Sequence, residues 1–108
     1  MAVLHTNAAS FDKVINQDVP VLVDFWAPWC GPCRMLGPVL EEVEKDVAGK
    51  AIVAKVNVDE EADLASKFNI ASIPTMIIFK KGQGVDRASG YMPKEKIVEL
   101  IKAHIQAD

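Results

Sequence analysis

The segment Val21 to Ala27, Val-Leu-Val-Asp-Phe-Trp-Ala, constrains this chain more than any other. A strand with one wet face alternates apolar and polar residues, whereas a nearly unbroken β-branched and aromatic run belongs to a strand covered on both faces. Immediately after it, residues 32–48 carry Met35, Leu36, Val39, Leu40, Val43 and Val47 at helical spacing. A buried strand handing over to an amphipathic helix opens a crossover connection, and such connections build parallel sheets with helices on their faces.

The rest of the chain repeats the alternation. Val3–His5 reads as a short strand, and Thr6 or Asn7 as the cap of a helix over about 8–17. Gly37-Pro38 should bend the helix over 32–48, since a proline cannot donate to the preceding turn. Ile52–Val58 is a further strand, and Asp59 is placed to cap a helix over about 61–68. Thr75–Lys80 and Val85–Ser89 form a hairpin across a Lys81-Gly82-Gln83-Gly84 turn. Pro93 suits the first turn of a last helix whose buried stripe is Ile97, Leu100, Ile101 and Ile105. The expectation is an α/β fold with a mixed central β-sheet, flanked by helices on both faces, in one domain over residues 1–108. With 108 residues, half of them apolar, the chain can bury one real core without a covalent staple.

Composition excludes some functions. Twelve basic against 15 acidic residues, with no basic stripe, argues against nucleic-acid binding. The longest mostly apolar segment, Val19 to Trp29, is broken by Asp24 and is well short of the roughly 20 residues needed to cross a membrane. The first residues, Met-Ala-Val-Leu-His, show no basic region followed by an apolar one, so a cytoplasmic protein is expected.

The chemistry rests on Cys30-Gly31-Pro32-Cys33 at the junction of that strand and helix. Cysteines at i and i+3 of a first helical turn have Cα atoms about 5 Å apart, inside the range a disulfide accepts. The pair can therefore open and close with little backbone movement. Cys30, at the helix start, meets free N–H groups and the positive end of the helix dipole, which favour its thiolate and make it the expected nucleophile. Cys33, one turn in, is the natural resolving thiol. Pro32 restricts the loop and removes one N–H. A structural zinc site would need four ligands, but the chain has two cysteines and two histidines, and His5 and His104 lie at opposite ends. An inert structural disulfide usually closes a longer loop.

Other residues admit two readings each. Asp24 is an acid in an apolar strand, and a buried carboxylate must be protonated, paired or hydrated. It is either a proton acceptor for Cys33 or a strand-end acid held by an ordinary partner. Lys55, between Ala54 and Val56, is either a partner for that acid or a lysine snorkelling at a sheet edge. Pro74 is otherwise a plain proline at the start of a strand. Trp29 suits the rim of the site and Trp26 the packing beneath it. His104 falls on the apolar stripe of the last helix and reads as a satisfied boundary histidine.

The segment Phe25-Trp26-Ala27-Pro28-Trp29-Cys30-Gly31-Pro32-Cys33 resembles the active site of the thioredoxin family. Asp24, Lys55, Ile73-Pro74-Thr75, Gly82 and Gly90 follow in family order and spacing, so the resemblance covers about residues 3 to 106. It implies a thioredoxin fold and a general protein-disulfide reductase or electron carrier. Cys30 would attack the target, Cys33 would resolve the mixed disulfide, and Asp24 would accept a proton with Lys55 facing it. It also implies a cis Ile73–Pro74 peptide and a substrate-facing surface of Trp29, Gly31, Ile73, Pro74 and Gly90. The Gly31-Pro32 dipeptide is the family's reducing variant, which argues against a disulfide isomerase or oxidase. Two retained cysteines argue against a purely structural binding module. The implied partners are disulfide-containing target proteins and an NADPH-dependent flavoprotein, thioredoxin reductase. No cofactor or metal of its own is implied, and a monomer is expected. Pro28, Gly84 and Ser89 depart from the family pattern.

Overall fold

A computed structural model describes residues 2–105; residue 1 and residues 106–108 of the expected domain lie outside the described residues. In chain order the elements are β1 (Leu4–His5), α1 (Phe11–Ile15), β2 (Val21–Trp26), α2 (Gly31–Val47), β3 (Ile52–Asn57), α3 (Ala62–Lys67), β4 (Thr75–Lys80), β5 (Gln83–Ser89) and α4 (Lys94–Lys102). The strands form one mixed sheet in the order β1-β3-β2-β4-β5. β1, β3 and β2 run parallel, while β4 pairs antiparallel with both β2 and β5. This is the expected α/β thioredoxin fold, with β2 at the centre.

The composition of β2 explains its place. Val21, Leu22, Val23 and Phe25 have no exposed surface, and burying each contributes about 1.5–3 kcal/mol. Their alternation sends Leu22 to one face of the sheet and Val21, Val23 and Phe25 to the other. Leu22 packs with Leu36, Leu40, Val43, Ile97 and Ile101 beneath α2 and α4. On the opposite face, Phe11, Ile15 and Leu64 from α1 and α3 cover Val21, Val23 and Phe25. The gain from four such side chains is what allows Asp24, in the same strand, to be buried completely as well.

Several local expectations are corrected. α1 spans only Phe11–Ile15, because Asn7 closes a turn ahead of it: its side-chain Oδ1 accepts from the Ser10 amide at 3.1 Å, and its carbonyl accepts from the Phe11 amide at 2.9 Å. The hairpin turn is Lys81-Gly82 alone, both residues at positive φ (54° and 82°). Gln83 and Gly84 already belong to β5, with a register irregularity where Gly84 meets Phe79. Pro93 stands just before α4, and Ile105 lies beyond its end while still packing on the core. Met35 is not core: it is 62 % exposed. The buried positions of α2 are Cys33, Leu36, Leu40, Val43, Glu44 and Val47, and Met35 projects beside that seam. Among the described residues no helix is long and apolar enough to cross a membrane.

Candidate active site

The chain leaves β2 at Trp26 and enters α2 at Gly31, so Ala27–Cys30 crosses from the sheet to the helix start. The crossing is tied down at three points. The Cys30 amide donates to Ala27 O at 3.2 Å and the Arg34 amide to Cys30 O at 3.0 Å. The Arg34 guanidinium, through Nη1, donates to Pro28 O at 3.1 Å. Cys30 is the residue that caps α2, in extended conformation (φ −89°, ψ 115°). Gly31 and Pro32 make the first turn, where the missing N–H of Pro32 costs no helical bond.

Cys30 and Cys33 are joined as a disulfide with a Cα–Cα separation of 5.2 Å, the spacing the helix start imposes. The Cys33 amide donates to Cys30 Sγ at 3.2 Å. In the reduced protein that N–H and the helix dipole both favour a thiolate on Cys30. Cys30 keeps 6 % of its surface exposed and Cys33 only 1 %. Across the disulfide, the carbonyl oxygen of Ile73 lies 3.8 Å from Cys30 Sγ. The Ile73–Pro74 peptide is cis, as the resemblance implies. Gly90, at φ 92°, donates its amide to Pro74 O at 2.8 Å, which joins the end of β5 to the start of β4 beside the disulfide. Ser89, one of the departures, shares a 3.1 Å hydrogen bond with Thr75, whose Oγ1 also donates to Ser72 O at 2.6 Å.

Trp29 is 67 % exposed and forms one wall of a groove of about 310 Å³ whose other walls include Val58, Ala62, Ile70 and Ile73. Its indole Nε1 donates to both carboxylate oxygens of Asp59, at 3.0 and 3.2 Å. Asp59 therefore does not cap α3, which begins after Glu61 without a side-chain cap. Neither the groove nor the tryptophan's anchor was read from the sequence. Both arise from the β3–α3 connection folding against the active-site loop.

Asp24 lies one layer deeper. Its carboxylate has no exposed surface, and neither oxygen has a hydrogen-bond partner among the described residues. Burial pushes its pKa up to about 7, against the opposing pull of Lys55. Lys55 is Asp24's neighbour in register on β3. Its ammonium, however, does not close an ion pair; it rests over the Trp26 ring, 4.3 Å from the centroid. His104 pairs through Nε2 with Asp86 at 2.9 Å, far from the sulfurs in sequence and role.

A cysteine pair whose 5.2 Å Cα spacing suits a disulfide, set at the exposed end of a helix start, is suited to sulfur exchange. The fold and site together define a thiol–disulfide oxidoreductase. Residues 2–103 match the family described as Thioredoxin. Thioredoxins of the Staphylococcus aureus strains MW2 and COL are each 48 % identical over 105 residues, covering 97 % of this chain and the whole of each relative. A solved structure of a mutant thioredoxin from Halobacterium salinarum superposes with a TM-score of 0.90 at 33 % identity, over 99 % of this chain and 94 % of that one. The chain belongs to the thioredoxin family.

Proposed function

We propose that the chain is a general protein-disulfide reductase in which Cys30 is the nucleophile and Cys33 the resolving thiol. The observation that carries this reading is the Cys33 amide aimed at Cys30 Sγ on the first turn of α2. The Cys30 thiolate attacks one sulfur of a target disulfide, forming a mixed disulfide and releasing the other target sulfur as a thiolate. Cys33 then gives up its proton and attacks Cys30 Sγ. The second target sulfur leaves, and the domain keeps the Cys30–Cys33 disulfide. Two electrons have passed to the target.

Asp24 accepts the Cys33 proton. A carboxyl buried without partners, with its pKa raised to about 7, is able to exchange a proton near neutral pH. Lys55 offsets part of its burial. Pro32 tunes the potential by stiffening the loop between the sulfurs. The target lies along Trp29, Gly31, Ile73, Pro74 and Gly90, as an extended segment able to pair with exposed backbone near Ile73. A flavin-dependent thioredoxin reductase using NADPH returns the domain to the dithiol state, and the protein acts as a cytoplasmic monomer.

The test is reduction of insulin disulfides coupled to NADPH oxidation by a thioredoxin reductase. Turnover is expected with the wild-type chain and none with the Cys30→Ser/Cys33→Ser double variant. Equal turnover by the two would refute the reading.

A further inference from the structure

Asp24 and Lys55 stand opposite each other on neighbouring parallel strands, so their side chains leave the same face of the sheet from backbones about 4.8 Å apart. A lysine is long enough to close an ion pair from there. Among the described residues no such pair is made, and both Asp24 oxygens remain bare and sealed from solvent. The ammonium lies instead over the ring of Trp26, two residues beyond Asp24 on the same face of β2. It also lies close to α2, where a Cβ on Gly37 would stand 4.0 Å from Nζ. A cation is attracted to an indole face by the ring's quadrupole, and most strongly where water is excluded.

We propose that Trp26 is a positioning residue for the buried acid: its indole face, with the α2 backbone at Gly37, seats the Lys55 ammonium and keeps it from closing an ion pair on Asp24. A direct pair would hold Asp24 ionised through neutral pH, while removal of the cation would leave it protonated well above neutrality. The seated ammonium gives the intermediate case, a carboxyl that exchanges its proton in the working range. The functional weight of this arrangement rests on the reading of Asp24 as proton acceptor, but the arrangement itself does not.

From β3 the charged group is Lys55, with His5 of β1 beyond it in register; from β4 the residue in register with Asp24 is Met76, which is uncharged. α2 buries two titratable side chains. Cys33 has no proton to lose in the disulfide, and Glu44 lines a separate cleft with Leu4 and Val53. The α4 residues on this face are Ile97 and Ile101.

The experiment follows the Asp24 carboxyl by carbon-13 NMR in the oxidised protein across a pH titration. The proteins compared are wild type, Trp26→Leu, Lys55→Met and the double variant. Lys55→Met alone should raise the Asp24 midpoint. Trp26→Leu should lower it by about one pH unit or more, as the freed ammonium pairs with the carboxylate. That fall should vanish when Lys55 is also Met. If Trp26→Leu does not fold, the same cycle is read with Trp26→Phe, whose weaker ring predicts a smaller fall of the same sign. A fall that persists without Lys55 would mean that solvent entry is the cause, and an unchanged or raised midpoint would mean that the ring does not seat the lysine; either overturns the proposal. Insulin reduction by the same variants separates the two claims. If the titrations behave as stated but turnover does not follow Asp24 ionisation, Trp26 keeps its positioning role and Asp24 loses its catalytic one.

Discussion

Trp29 is exposed at the rim of the disulfide, yet its indole N–H is bound to both oxygens of Asp59, at 3.0 and 3.2 Å. The bond holds the ring in place as one wall of the groove bounded by Val58, Ala62 and Ile73. Asp59→Ala should therefore raise KM for protein disulfides by about two- to tenfold, the loss expected from one hydrogen bond. The alkylation rate of Cys30 should stay unchanged. Asp59→Asn, which keeps one acceptor, should fall between. Steady-state insulin reduction and iodoacetamide kinetics measure the two effects; a slowed alkylation in Asp59→Ala would show that the carboxylate acts on the sulfur and not on Trp29.

Asp24 makes stability depend on pH in a defined direction. Its pKa is about 7 in the folded chain against 3.8 for a free carboxyl, so between those values the native state binds more protons than the unfolded one. Stability is complete below the lower value, falls as pH rises through the window and levels off above the folded pKa. Asp24→Asn, nearly the same shape without a charge to desolvate, should flatten that slope. At pH 8 it should be more stable than wild type by about 1–4 kcal/mol, the carboxylate's desolvation less the cost of burying an unpartnered amide in its place. Turnover should fall in the same variant. Urea midpoints of the oxidised proteins at pH 5 and pH 8 check the sign, and equal midpoints at pH 8 would show that the carboxylate is compensated.

The hairpin turn carries a correctable strain. Lys81 sits at φ 54° and Gly82 at φ 82°, a pairing of left-handed residues that favours Asn-Gly over Lys-Gly. Lys81→Asn should stabilise the fold by about 0.5–1 kcal/mol, and Gly82→Ala should destabilise it by about 1 kcal/mol or more. Thermal unfolding of both variants tests the pair.

The sheet was legible because burial on both faces leaves an unmistakable pattern in β2, and because the apolar spacing of α2 and α4 is helical. The cysteine pair was legible because i, i+3 spacing at a strand–helix junction dictates the Cα separation. The corrections fall where local patterns compete. Met35 is apolar, but Cys33, Leu36, Leu40, Val43 and Val47 already define the seam facing the sheet, and Met35 stands about 100° around the helix from Leu36. Asp59 has the composition of a helix cap, and its real partner, Trp29, is thirty residues away. Only the tertiary packing of the β3–α3 connection brings them together. Lys55 reads as the partner of Asp24, and the register agrees. What sequence does not carry is the choice its flexible side chain makes between a carboxylate and a ring face.

The central claim is the division of labour between the sulfurs. Its most direct measurement is the trapping of a mixed disulfide with a target. Reduced Cys33→Ser and Cys30→Ser variants are each mixed with oxidised insulin, quenched with acid and mapped by mass spectrometry. Cys33→Ser should accumulate a target joined through Cys30, because no second thiol is present to release it. Cys30→Ser should accumulate little, because Cys33 is 1 % exposed. A stable adduct through Cys33 in Cys30→Ser, with none through Cys30 in Cys33→Ser, would contradict the account.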